Sequence, residues 1–180
     1  MAWVPRIPEI KDQLGLRDGQ FGFVFLAGAF GSVVGTQISG RAIHLFASRN
    51  FARICAVLMP LGIFTMGSAN SVLTLVCGLF ITGLSFAALD VAANVQAMAI
   101  EKLTKSRYMS SFHGMWSIGA FAVTMFGGIL AKHITPAQHL KSLAIISAAL
   151  YVVTISGLLS GELDGTRMPI TIAASFNAQL

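Results

Sequence analysis

Residues 72–100, VLTLVCGLFITGLSFAALDVAANVQAMAI, contain a single charged side chain, that of Asp90. The stretch exceeds the ~20 apolar residues that an α-helix needs to cross the hydrocarbon core of a bilayer. A spanning segment must satisfy its backbone polar groups internally, which an α-helix does. A transmembrane strand would need only ~10 residues and would alternate apolar with polar side chains, unlike this stretch. The stretch therefore predicts a membrane-spanning helix.

The rest of the chain repeats this pattern. Hydrophobic residues make up 55% of the 180 residues and charged residues only 11%, whereas about 25% of an ordinary soluble domain is charged. We predict five spanning helices, over residues 21–45, 54–69, 72–100, 109–131 and 140–159. Short joins predict that consecutive helices pack as antiparallel neighbours, and a GxxxG step at Gly31 and Gly35 favours close helix contact. The predicted fold is all-α, a polytopic membrane helix bundle.

Both ends of the chain differ from the predicted bundle of residues 21–159. Residues 1–20 contain prolines and charges, and we interpret them as the end of a first span that the sequence lacks, followed by an extracytoplasmic loop. Residues 160–180 have mixed polarity, and we interpret them as a loop or tail. The candidate functional residues all lie within the predicted bundle.

The Lys and Arg side chains between the spans predict the orientation of the bundle, because cytoplasmic joins carry the excess of cations. One side holds seven cations: Arg41, Arg49, Arg53, Lys102, Lys105, Arg107 and Arg167. The other side holds five: Arg6, Lys11, Arg17, Lys132 and Lys141. We therefore place the first side in the cytoplasm.

Asp90 is the most informative side chain. It lies roughly ten residues from the predicted cytoplasmic end of its span, which is ~15 Å at 1.5 Å per residue. A carboxylate at that depth costs a few kcal/mol, so we expect it to face the bundle interior or a water-filled cavity. Such a group suits proton coupling or the binding of a polar solute. The alternative is a structural carboxylate satisfied by neighbouring hydroxyl and backbone groups.

Other polar side chains in the spans are candidates for the same pathway. Asn94 follows Asp90 by four residues and so shares its helix face. Gln37 and Thr36 in the first span are candidates for lining a cavity. His113, one turn into the fourth span, is a candidate proton relay, or alternatively a histidine bonded to backbone near the membrane interface.

Several function classes find no support in the sequence. It contains no HExxH, Walker or CxxC motif, so we expect no enzyme and no cofactor. A metal site needs three or four convergent ligands, and we expect none. No basic face or aromatic stacking platform points to nucleic acid.

Four stretches resemble transporters of the Major Facilitator Superfamily, in the fucose-permease-like branch of bacterial inner-membrane permeases. WVPRIPEIKDQLGL (3–16) and FLAGAFGSVVG (25–35) resemble the end of helix one, the following loop and helix two. LDVAANVQAMAIEK (89–102) resembles helix four, and SSFHGMWSIGA (110–120) resembles helix five. The resemblance covers about residues 2–159 and corresponds to helices two to six of an N-terminal half.

The resemblance implies proton-coupled transport of a small polar solute such as a sugar, by alternating access between two six-helix halves. Asp90 matches an acidic position on helix four that contributes to the central cavity of that branch. The implied partners are the solute, the lipid bilayer and a C-terminal half that the sequence does not supply. The implied location is the bacterial inner membrane, as a multi-pass protein. The alternative is a small multi-pass scaffold or interaction protein without transport activity.

The resemblance also identifies a gating loop between the first two spans, where the family has G-x-x-x-D-R-x-G-R-R. In GRAIHLFASR (40–49), Gly40 and Arg49 match this motif, and Arg41 adds a cation. His44 replaces the acid, Leu45 the base and Ala47 the second glycine. The charge pair that helps to hold the cytoplasmic gate closed in the family is therefore altered here.

Overall fold

The structure, a computed structural model, describes residues 3–165, and within that range it contains α-helices and no β-strand. The helices are α1 (Ile7–Gln13), α2 (Asp18–Phe46), α3 (Ser48–Gly67), α4 (Val72–Thr104), α5 (Met109–Leu130) and α6 (Pro136–Thr154). Short 3₁₀ turns precede α1 (Val4–Arg6) and follow α6 (Ile155–Gly157). Helices α2 to α6 are long and apolar enough to cross a membrane. The predicted all-α bundle with five spanning helices is thus confirmed.

Several predicted helix boundaries are wrong by four residues or more: α4 ends at Thr104 instead of residue 100, α6 ends at Thr154 instead of residue 159, and the starts of α3 and α6 are also displaced. α3 begins at Ser48 instead of residue 54, because Ala47 alone joins it to α2. α6 begins at Pro136 instead of residue 140, because Thr135 and Gln138 form a capping box in which each side chain accepts from the other residue's backbone N–H, at 3.3 and 3.1 Å. His139, expected in the loop, is therefore a buried residue in the first turn of α6. Most of the predicted tail, from residue 166 onwards and including Arg167, lies outside the described residues, as do residues 1–2.

Helix α4 is the centre of the bundle. α2 packs along one side of it, α3 packs along another side, and α6 packs against α3. A Cβ atom at Gly31 would lie 2.3 Å from the carbonyl oxygen of Phe80, and one at Gly35 would lie 2.3 Å from that of Leu84. The predicted GxxxG step therefore brings the backbone of α2 directly against the backbone of α4.

Consecutive helices are packing neighbours only in part, which corrects the prediction from loop length. α3 and α4 pack along their lengths, but α2 and α3 touch little and α4 and α5 barely touch. Lys105, with a φ of 54°, ends α4 in a left-handed conformation, and α5 then leaves α4. Among its own residues α5 buries only Gly127. A short join limits the distance between two helix ends but does not make the helices pack.

The bundle has two ends, named here for a residue in one of their joins. The Ala47 end holds the α2–α3 join, the α4–α5 join and the chain that follows α6. The Asn70 end holds α1, the α3–α4 join and the α5–α6 turn. The predicted cytoplasmic side corresponds to the Ala47 end.

Candidate functional site

Asp90 and Asn94 form a polar pair on α4. The Asn94 Nδ2 atom donates to the carbonyl oxygen of Asp90 at 2.9 Å and to its Oδ2 atom at 3.3 Å. Ala88 and Ala92, two residues to either side of Asp90, are fully buried. Because two residues turn a helix through about 200°, Asp90 points away from that packed side, and it is exposed. The pair thus lies on an open face of α4.

Gln37 lies on α2 and lines an open cleft. The other residues of the cleft are Ile38, Arg41, Ala42, Leu45 and Phe46. Gly35 of α2 lies against Leu84 of α4, and the two helices run in the same direction, so Asp90 lies level with about residue 41 of α2. Gln37 therefore lies about 6 Å farther from the Ala47 end than Asp90 does. Thr36 is also exposed, and its hydroxyl donates to the carbonyl oxygen of Ser32 within α2, at 3.0 Å.

His113 is exposed in the first turns of α5, apart from the Asp90–Asn94 pair. Its carbonyl oxygen accepts a hydrogen bond from the Ser117 hydroxyl at 3.0 Å. Because α5 barely contacts α4, the structure does not bring His113 into hydrogen-bond contact with Asp90 or Asn94 among the described residues. His113 and the Asp90–Asn94 pair are therefore two separate polar positions.

Glu101 has a local role that the sequence reasoning missed. Its Oε1 atom accepts hydrogen bonds from the backbone N–H groups of Tyr108 and Met109, at 2.6 and 2.8 Å. Tyr108 and Met109 lie at the start of α5. The first N–H groups of a helix have no partner within it, and a negative charge is favoured there. The end of α4 therefore fixes the start of α5 although the two helices pack little.

The predicted gating loop is helical, which corrects its description as a loop. Gly40, Arg41 and His44 lie in the last turns of α2, and Arg49 lies in the first turn of α3. Ala47 between them has a φ of 64° and a ψ of 155°, a conformation that essentially only glycine adopts without strain. Ala47 stands where the family motif has its second glycine, and its backbone thus has a conformation typical of glycine although it carries a side chain.

Gln96 connects three segments at the Ala47 end and is a residue that the sequence prediction missed. Its Nε2 atom donates to the Ser48 hydroxyl at 2.6 Å, to the Asp164 carboxylate at 2.9 Å and to the Leu159 carbonyl oxygen at 3.1 Å. Its Oε1 atom accepts from the Leu159 N–H at 2.8 Å, and Ser48 also bonds to Asp164. An amide buried in an apolar helix requires such hydrogen-bond partners. A glutamine within an apolar span was therefore the signal available in the sequence.

Within residues 3–165, no group of three or more His, Cys, Asp or Glu side chains lies close enough together to hold a metal ion. The candidate residues Asp90, Asn94, Gln37 and His113 supply a carboxylate, two amides and an imidazole as hydrogen-bonding groups.

Comparison with known proteins places these features in a family. The family model of the Major Facilitator Superfamily matches residues 2–167. The uncharacterized transporter y4wD of Sinorhizobium fredii is 30% identical over 88% of this chain. The membrane protein MosC of Rhizobium meliloti is 28% identical over 89% of it, and an uncharacterized MFS-type transporter of Yersinia pestis is 26% identical over 89%.

The chain spans only 40–42% of the length of these three relatives. No solved structure matches the chain.

Proposed function

Because the chain belongs to the Major Facilitator Superfamily, we propose that it acts in secondary active transport of a small polar solute, with a sugar as the first class to test. The proposed mechanism is alternating access, in which two halves rock about a site near the bilayer midplane. Since the chain spans about 40% of its relatives, a C-terminal half is the proposed partner that completes the site.

The observation that carries the proposal is the Asp90–Asn94 pair on the open face of α4. A carboxylate deep in a membrane span is costly unless it faces protein or water, so we propose that this face lines the central cavity. The carboxylate would hold the coupling proton, and the Asn94 amide would hold Asp90 and present hydrogen-bonding groups to the solute. Gln37 and His113 are proposed to extend the same pathway on α2 and α5.

The proposed orientation puts the Ala47 end in the cytoplasm of a bacterial cell, with the bundle in the inner membrane. The cation excess at that end supports it. In this orientation Gly40, Arg41, His44 and Arg49 belong to the cytoplasmic gate. Because His44 stands where the family motif has an acid, we propose that this gate closes without the usual charge pair.

The test is solute uptake by proteoliposomes, with and without an imposed proton gradient, starting from radiolabelled L-fucose and other monosaccharides. The chain is assayed alone and together with a C-terminal half. Asp90→Asn keeps the shape and removes the titratable proton, so we expect it to abolish proton-driven accumulation while exchange of solute across the membrane continues. Asp12→Asn is the matched control, because it removes one acidic side chain from the exposed surface of α1.

Two results would contradict the proposal. Unchanged proton-driven accumulation by a folded Asp90→Asn protein would exclude Asp90 from coupling and leave it a structural carboxylate. Absence of uptake of every solute, even with a C-terminal half supplied, would favour the alternative of a multi-pass scaffold without transport activity.

A further inference from the structure

A buried arginine joins two distant segments at the Asn70 end of the bundle. Arg6 is fully buried, and its Nη1 atom donates to both carboxylate oxygens of Glu9, at 2.9 and 3.1 Å. Its guanidinium also donates to the backbone carbonyl oxygens of Leu130, Ala131 and Ile134, at 2.9–3.2 Å. These carbonyls belong to the end of α5 and the turn after it, where a cation is favoured by the helix dipole. Arg6 therefore ties the segment before α1 to the α5–α6 turn.

The remaining guanidinium contact fixes the protonation state of a histidine. The Arg6 Nε atom donates to the Nδ1 atom of His139 at 3.0 Å. Arginine has only donors and stays charged, so Nδ1 must be the nitrogen without a proton. A second proton on His139 would remove this hydrogen bond and place two cations in contact inside a buried site, which is strongly unfavourable.

Few other charges face this imidazole among the described residues. The charges of Arg6 and Glu9, both in the segment around α1, act electrostatically on the His139 imidazole. The Glu9 side chain is 42% exposed, so solvent screens its charge. The end of α3 that packs against α6, residues 64–68, contributes no titratable group. The other titratable side chains nearby are exposed or paired elsewhere: Lys11 with Asp18, Lys132, His133, and Lys141 over the Phe64 ring.

We propose that Arg6 and His139 form a proton-operated clasp, closed while His139 is neutral and opened when it is protonated. Repulsion between the two cations displaces the Arg6 guanidinium, and its hydrogen bonds to the carbonyls of the α5–α6 turn are weakened with it, which frees that turn from the segment before α1. Because α5 packs little against the other described helices, the clasp is a main attachment of its end. The clasp does not depend on which solute is carried. The proposed function puts the Ala47 end in the cytoplasm and hence the Asn70 end on the outer, proton-supplying side of the membrane. Only that placement of the clasp rests on the proposed function.

The test is amide hydrogen exchange of residues 130–139 at pH 4 and pH 8. The acid value is set below the ordinary titration range of histidine because burial and Arg6 disfavour the second proton. The protein is reconstituted in lipid nanodiscs, and exchange is expressed as protection relative to the intrinsic rate at each pH. In the wild type we expect protection at pH 4 to be about tenfold lower than at pH 8, as for the loss of a charged hydrogen bond.

His139→Asn is the decisive variant, because its Oδ1 atom can accept from Arg6 in place of Nδ1 and cannot titrate. We expect its protection to be equal at the two pH values. His133→Asn is the matched control, since His133 is exposed in the same turn, and it should behave as the wild type does.

Equal protection of the wild type at both pH values would overturn the proposal, and so would a pH-dependent fall in a folded His139→Asn protein. If His139→Asn does not fold, His139→Gln takes its place, because its Oε1 atom can also accept from Arg6 and its side chain cannot titrate. Equal protection at the two pH values in that protein supports the clasp, and a pH-dependent fall overturns it.

Discussion

Replacing Gly31 by alanine should force α2 and α4 apart. The new Cβ would lie 2.3 Å from the carbonyl oxygen of Phe80 and 3.0 Å from the amide nitrogen of Leu84. A carbon and an oxygen in contact stay about 3.3–3.6 Å apart, so the helices must separate by about 1 Å. Both contacted atoms are backbone, so no side-chain rotation relieves the clash. The separation also stretches the Ser32–Gly83 hydrogen bond, now 3.2 Å, which bridges the same helices.

We expect Gly31→Ala to lower the free energy of unfolding by about 2 kcal/mol, within the range for overpacking. The measurement is reversible unfolding by SDS in mixed micelles, followed by circular dichroism. Gly22→Ala is the matched control on the same helix, because a Cβ there meets nothing within 4 Å. It should be neutral or stabilising by up to ~1 kcal/mol, since alanine favours the helix. A Gly31→Ala protein as stable as this control would refute the close contact between α2 and α4.

Three further variants test local features. Ala47→Gly should raise the free energy of unfolding by about 1 kcal/mol, because glycine relieves the positive φ; a loss of stability in the same SDS titration would contradict this. Gln96→Leu removes the hydrogen bonds to Ser48 and Leu159 and should cost about 2 kcal/mol. Limited proteolysis after α6 should then accelerate, and an unchanged cleavage rate would argue against the connection. Glu101→Ala should speed hydrogen exchange in the first turn of α5 several-fold without changing the rest of that helix, whereas a uniform change would point to a global effect.

The sequence was sufficient to predict the membrane spans but not to predict which spans pack against each other. Hydrophobic length alone predicts how many helices cross a membrane, but it does not say which helices touch. That depends on close approaches such as Gly83 against Gly28, where a Cβ on Gly83 would lie 2.0 Å from the Gly28 carbonyl oxygen. α6 starts four residues before the predicted residue 140, because a proline such as Pro136 is favoured at the first position of a helix and does not mark a loop there.

The candidate site was predictable only where its partners are close in sequence. Asp90 and Asn94 are four residues apart on one helix, so helical geometry brought them together in the prediction. Gln96 and Arg6 were missed because their partners come from distant parts of the chain, near Leu159 and Leu130 respectively. No local pattern in a single sequence reports such contacts.

The join at Ala47 has a mechanical consequence. A connection of one residue leaves no slack, so a tilt of α2 must carry the start of α3 with it, and both helices are already held by α4. Helix α5 is attached differently, by the four-residue join 105–108 and a side surface that is largely bare. In the proposed rocking motion we expect α2, α3 and α4 to move together as one rigid body, and α5 to move separately from them.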